Sequence, residues 1–338
     1  MGKVYCIGEA LIDFIPEQKG KALKEVDTFE KLPGGAPANV AIAVAKYGGT
    51  ASLITKLGED AFGDFLVDIL VENQVEVDKV LRTNEANTGL AFVSVKEDGE
   101  RDFSFYRKPS ADLLLSEGEI EENWFSNDDI LHFCSVDLVE SPMKYAHKKA
   151  ISIVKSKGGI ISFDPNIRLS LWDDHQECQK TVQEFLPLAD IVKISDEELE
   201  FITGIKDTSE ALKSLFKGDV KAVVYTKGAK GAELLLKNGQ SYESSGFKVI
   251  VSDTTGAGDA FIGGLLYALS AHHVQLANLE SVLHEHQEDI LAFANASGAL
   301  TASVKGAIHA APAKKHVLDF LHTRVGESFH NRFGVMKQ

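Results

Sequence analysis

Cysteine is scarce in this chain: there are three, Cys6, Cys134 and Cys178, far apart and without CxxC spacing. That excludes a disulfide scaffold and a thiolate zinc centre, and predicts small core thiols in a reducing compartment. Long apolar runs are missing as well, and none approaches the ~18 residues that a membrane span needs. No run of Lys and Arg is long enough to make an electrostatic footprint for nucleic acid, and the formal charge is 35 − 50 = −15. Proline is held to 8 residues in 338, and neither repeats nor a low-complexity linker stand out. No secretory signal is expected, because Lys3-Val4-Tyr5-Cys6-Ile7-Gly8 reads as a short buried strand. Met1-Gly2 begins like a myristoylation motif, but Cys6 stands where Ser or Thr is wanted. A cytoplasmic location is the resulting expectation. An acidic chain that binds a polyanion needs a local device, such as backbone N–H groups or a metal ion, to overcome its own repulsion.

What is present is ordinary globular material, 44% apolar and 25% charged, long enough for one large domain and a smaller one. Apolar strand-like runs alternate with helical periods. Leu131-His132-Phe133-Cys134 precedes a helical stretch from Pro142 to Lys157, and Gly159 to Phe163 reads as the next strand, ending at Asp164-Pro165. Asp190 to Ile194 and Ala222 to Tyr225 repeat the pattern. Such strands imply a parallel sheet covered on both faces, with ligands at the carboxyl ends of the strands. Thr88 to Arg107 departs from this by alternating around Glu97-Asp98-Gly99-Glu100, a turn signal. That hairpin either joins residues near 10–32 in a small separate sheet or lies at the edge of the main one. The tail from Arg324 onward has weak periodicity.

The strongest chemical signal is Asp253-Thr254-Thr255-Gly256-Ala257-Gly258-Asp259-Ala260-Phe261. It follows a predicted strand, Lys248 to Val251, and opens an apolar helix through Leu269. A glycine turn at a helix start gathers backbone N–H groups at the positive end of the dipole, which makes an anion site. Asp259 in that first turn is either a helix cap or a general base beside a transferring phosphate. The segment fits neither the GxxxxGK[ST] of a P-loop nor GxGxxG. A second signal, Gly34-Gly35-Ala36-Pro37-Ala38-Asn39, opens a helix predicted from Val40 to Tyr47. It reads as a tight-packing turn or as a surface where hydroxyls meet Asn39. His284 and His286 fit no zinc pattern.

Together, in this order, the two glycine segments resemble the two signatures of the ribokinase-like (PfkB) carbohydrate kinase family, over nearly the whole chain. The resemblance implies a ribokinase-like three-layer α/β/α core with a mostly parallel sheet, plus a small β-sheet lid. The core would occupy residues 1–325, the lid about 10–32 and 88–108, and the tail 326–338. Gly256, Ala257 and Gly258 match the family's anion hole and Asp259 its catalytic base. On the sugar side the expectation covers Asp13, Gly34, Gly35, Asn39 and Arg168, with Phe105 and Arg107 at the end of the lid hairpin. On the nucleotide side it covers Lys193, Ser195, Glu198, Thr226, Gly228, Gly231 and Asn295. Ser195 stands where the family often has Asn, while Glu198 keeps the acid that acts on magnesium-bound phosphates through water. Asp253, Thr255, Thr301 and Gly306 fall near the family's monovalent-cation loop.

The cofactors so implied are ATP, Mg2+ and K+, the partners are a sugar and ATP, and pairing of two copies through the lid is part of the same expectation. Asp164-Pro165-Asn166-Ile167-Arg168 and Leu171-Trp172 look like the bacterial fructokinase branch, which points to fructose. A kinase of 2-keto-3-deoxygluconate, ribose or a nucleoside is the nearest alternative. A sugar sensor without turnover is an alternative of another class, opposed by the intact Asp259 and glycine signatures. A nicotinamide dehydrogenase is disfavoured by the missing fingerprint.

Overall fold

Apolar runs without a polar face must be covered on both sides, and they set the core. The computed structural model describes residues 2–18, 20–95 and 101–325. Its strands are β1 (Val4–Ile7), β2 (Leu11–Pro16), β3 (Phe29–Gly34), β4 (Ala51–Gly58), β5 (Val80–Thr83), β6 (Leu90–Val95) and β7 (Arg101–Tyr106). They continue as β8 (Ile130–Cys134), β9 (Ile160–Asp164), β10 (Ile191–Ser195), β11 (Ala222–Thr226), β12 (Gly231–Leu236) and β13 (Ser241–Ser245). Nine of them form one sheet in the order β13-β12-β11-β10-β9-β8-β1-β4-β5. From β11 to β5 the pairs are parallel, and β12 and β13 add an antiparallel edge. β1, β4, β8 and β9 are buried at every position, as two-sided coverage requires.

The helices are α1 (Ala36–Lys46), α2 (Ala61–Glu72), α3 (Pro142–Lys157), α4 (His175–Phe185), α5 (Asp196–Thr203) and α6 (Thr208–Ser214). After these come α7 (Ala257–Ala271), α8 (Leu279–Glu285), α9 (Gln287–Ala302), α10 (Ala307–Ala310) and α11 (Lys314–Val325). One sheet face packs against α1, α2, α7, α8, α9 and α11, the other against α3 to α6. Close approach on the first face depends on two glycines. A Cβ on Gly263 would lie 2.7 Å from that of Ala43 in α1, and one on Gly264 would lie 2.9 Å from Ser297 Oγ in α9. Tyr47, Tyr267 and Phe293 then fill the junction of these three helices with ring centroids 5.2–5.8 Å apart. Each such ring removed from water contributes on the order of 2 kcal/mol.

The remaining strands form a separate sheet, β3-β2-β6-β7. The hairpin is therefore not an edge of the main sheet: β6 pairs with β7 antiparallel and with β2 in parallel. Its turn residues Glu97 to Glu100 lie outside the described residues, as does the tail 326–338.

Two expectations fail. Lys248 to Val251 is not a strand; the sheet ends at β13, and the chain runs on irregularly with Ile250 91% exposed. Its backbone partner is a helix end instead, since Ser252 N donates to Ala302 O at 2.9 Å. The helix predicted from Val40 starts four residues earlier, because Pro37 suits the first turn and Gly35 serves as N-cap.

Candidate active site

Two helix starts and three strand ends converge on one cleft. Gly35 sits at φ 105 because its backbone packs on the β1–β2 turn, where a Cβ would lie 2.4 Å from Glu9 O. Gly256, at φ 75, precedes α7, and a Cβ there would lie 2.6 Å from that of Ala307. The turns so fixed bring the first turns of α1 and α7 together, and Asn39 Nδ2 donates to Asp259 Oδ2 at 2.8 Å. Between them opens a cavity of about 380 Å3. Asp13, Gly35, Asn39, Phe105, Arg168, Lys193, Thr255, Gly256, Gly258 and Asp259 line it, all expected at the site from sequence.

Electrostatics there is set by few groups. Burial pushes the Asp259 carboxyl above its ordinary range, although Asn39, Arg168 and Lys193 pull it back. Asp259 is mostly but not fully covered, so the shift comes from its depth in the cleft rather than from full enclosure. Lys193 Nζ, buried, is 2.7 Å from Asp164 Oδ2. Burial works against the Lys193 charge, but Asp164 and Glu198 outweigh it and its pKa is raised. Asp164 moves to about 6, because burial exceeds the stabilisation from Lys193. Arg168 is exposed, and among the described residues it donates to its neighbour, Nη1 to Ile167 O at 3.0 Å.

Other expected residues lie around the cleft rather than on it. Gly34 packs on Asp13, where a Cβ would meet Oδ2 at 2.2 Å. The Ala257 N–H is taken by Thr254 O at 3.2 Å, which narrows the anion-facing donors of α7 to Gly258 and Asp259. Ser195 and Glu198 form a capping box on α5, and Glu198 Oε1 also accepts from Ile167 N at 2.8 Å. Burial would raise the Glu198 pKa, yet Lys193 and the bonds from Ser195 and Ile167 hold it low. Thr226 pairs with Ser195 across β10 and β11, and Gly228 and Gly231 shape the turn after it. Asn295 donates to Ser244 Oγ at 3.0 Å on the edge strand. Asp253 joins two loops: it accepts from Thr255 N at 3.0 Å and Gly306 N at 3.2 Å, while Thr301 Oγ1 bonds within α9.

Arg107 is a correction. It was expected on the sugar, yet its side chain is 4% exposed and bonded to Asp112 and Asp137. It lines a neighbouring cavity of about 660 Å3, which shares Phe105, Val136 and Leu171 with the first. That cavity is the larger of the two, but Asp259 and both helix starts belong to the smaller. Glu9, Leu11, Ala36, Val136 and Thr254 also line the cleft without having been expected there, whereas Asn166 and Leu171 belong to the segments that pointed to the sugar. Glu9 carried a signal of its own, an acid after a buried strand.

Comparison with known proteins identifies the family. Residues 1–314 match the model of the pfkB family carbohydrate kinases. "Probable fructokinase-2" of Arabidopsis thaliana is 42% identical over 327 residues, 96% of this chain and 97% of that protein. "Fructokinase-2" of Solanum habrochaites is 42% identical over 321 residues, 95% and 96% of the two chains. Among solved structures, a fructokinase with bound ATP from Xylella fastidiosa superposes with a TM-score of 0.87 at 36% identity, covering 96% of this chain and 99% of that one. A double-mutant fructokinase from Vibrio cholerae O395, bound to fructose, ADP and potassium ion, gives 0.84 at 38% identity, covering 95% and 98%. The chain belongs to the pfkB family of carbohydrate kinases, phosphotransferases of ribokinase-like fold.

Proposed function

We propose that this protein is an ATP-dependent fructokinase that phosphorylates the 6-hydroxyl of fructose. The observation that carries the reading is Asp259, a carboxylate in the first turn of α7, tied to Asn39 and facing the cavity. Asp13, Gly35, Asn39 and Arg168 hold the sugar hydroxyls. Asp259 takes the proton of the attacking hydroxyl as the new O–P bond forms, and the bond from the γ-phosphorus to the ADP oxygen breaks. Gly258 and Asp259 N–H groups and Lys193 stabilise charge on the transferred group. The small sheet acts as a lid through Phe105, excluding water that would otherwise be phosphorylated. Names of relatives support fructose, and Arg168, exposed on the cleft, has N–H groups to donate to neutral sugar hydroxyls.

Glu198, held ionised, fits a water-mediated partner of magnesium, which supplies charge neutralisation on the phosphates when bound. Loops 252–256 and 302–307, clamped by Asp253, fit a hard monovalent cation such as potassium. Thr226, Gly228, Gly231 and Asn295 are assigned to the nucleotide.

Phe14, Phe29 and Phe92 pack together on the small sheet, with Phe14 also against Phe62 of α2, and at the edge Tyr106 is 63% exposed. This supports pairing with a second copy of the chain, to be tested by sedimentation. Three buried free thiols suit a reducing cytoplasm.

The deciding experiment is ADP release against a panel of fructose, 2-keto-3-deoxygluconate, ribose and nucleosides, with the product position read by phosphorus NMR. A tenfold preference for the acid sugar, ~1.4 kcal/mol in transition-state binding, would overturn fructose.

A further inference from the structure

The wall between the two cavities holds one cation and three acids. Glu9, Asp112, Asp137 and Arg107 are 3%, 1%, 1% and 5% exposed. Arg107 donates to Asp112 and Asp137, and Ser110 donates to Asp112. Glu9 lies within electrostatic reach of both Arg107 and Asp137. One guanidinium offsets one of three carboxylates, and two net negative charges in a dry wall are too costly to keep. Two carboxylate oxygens in the cluster, Glu9 Oε2 and Asp137 Oδ2, have no hydrogen-bond partner. Those are the places where a proton would sit.

Glu9 also touches the substrate side. It lines the cleft, and its Oε1 accepts from Ala36 N at 2.9 Å, fixing the turn that carries Gly35 and starts the helix of Asn39. Arg107 directly follows β7, the last strand of the small sheet. The cluster thus ties the sugar-side turn to the root of the lid.

We propose that Glu9 is a positioning residue for the sugar, sharing a retained proton with Asp137 so that the glycine turn and the lid root stay joined. The proposal rests on the sugar-kinase reading above. Burial, then the mutual repulsion of Glu9 and Asp137, raises the Glu9 pKa well above the carboxylate range. Burial likewise lifts Asp137 to about 7, against the pull of Arg107. The groups facing Glu9 are Asp137, Arg107 and Cys134, with Asp112 behind Asp137. Sign follows directly: the proton is held below about pH 7 and lost above it, so the link loosens on the alkaline side.

The test compares wild type with Glu9→Gln and Asp137→Asn, which keep the shape and abolish the proton's titration. Wild-type KM for fructose should rise at least threefold between pH 6.5 and 9, with KM for ATP little changed, and Glu9→Gln should flatten that rise. Infrared spectra of the full chain should show a protonated-carboxyl band at pH 6.5 that either variant loses, a readout that needs no substrate. A pH-independent fructose KM in an active enzyme, or an infrared band unchanged in both variants, overturns the proposal. Failure to phosphorylate any sugar overturns the functional reading instead, and the infrared band then decides this one.

Discussion

Asn39 Nδ2 and Asp259 Oδ2 are 2.8 Å apart although 220 residues separate them in the chain. Asn39 thereby stabilises the ionised form of Asp259, against burial that favours the neutral one. A base works only when ionised, so kcat/KM should fall as pH falls through the Asp259 pKa. Asn39→Ala should move that acid limb to higher pH, because the opposing effect of burial remains. An acid limb identical to wild type in the pH–rate profile would refute the link.

Asp259→Asn should leave folding and sugar binding nearly intact and lower kcat by a factor of at least ~100, the scale of general-base catalysis. Circular dichroism and steady-state kinetics check both halves. Near-normal turnover would make Asp259 a cap and nothing more.

The two glycines of the α7 turn should separate in mutants. Gly256 sits at φ 75 with Ala307 in the way, so Gly256→Ala should misplace the turn and lower stability as well as turnover. A Cβ on Gly258 meets only Lys193 Nζ, at 3.4 Å. Gly258→Ala should therefore keep its melting temperature yet lose phosphoryl transfer, by filling space beside Lys193. An active Gly258→Val enzyme would remove that side of the turn from the phosphate site.

Arg168→Ala should reduce kcat/KM for fructose by about ten- to a hundred-and-fifty-fold, the equivalent of roughly 1.5–3 kcal/mol for a hydrogen bond to a charged donor. Measuring 2-keto-3-deoxygluconate alongside discriminates the sugars, because an acid substrate would lose its bidentate partner and collapse further.

Lys193→Met should destabilise the fold by ~3–5 kcal/mol, since it strands the Asp164 carboxylate in a buried site. Adding Asp164→Asn should restore most of the loss in urea unfolding. The Asp164 pKa is raised to about 6, so the folded state binds more protons than the unfolded one. Its contribution to stability therefore declines as pH rises from the ordinary carboxylate range through about 6.

Sequence carried the parts of the site that depend on local backbone. The glycine turns before α1 and α7, and Asp259 just beyond the second, follow from helix starts that any reader of the chain can locate. Strand cores such as Ile160–Asp164 were legible because burial on both faces leaves an unbroken apolar run. Less legible was whatever depends on a partner far away. Lys248 to Val251 has a strand's composition but pairs with no strand among the described residues, and Arg107 reads as a sugar ligand until Asp112 and Asp137 are brought to it. Glu198 could be read as a helix cap or as an acid near phosphates, and the structure gives it the cap while setting it beside Lys193.

The small sheet is assembled from two excursions, one between β1 and α1 and one after β5, joined by the parallel contact of β2 with β6. A parallel pair cannot close through a tight turn. β2 and β6 are far apart in sequence, so contact order predicts that this pairing forms late and opens early, which hydrogen exchange of its amides would check. With the small sheet as the proposed lid, both expectations draw on one joint: a change that loosens β2 from β6 should slow folding and also shorten the time a bound sugar is enclosed.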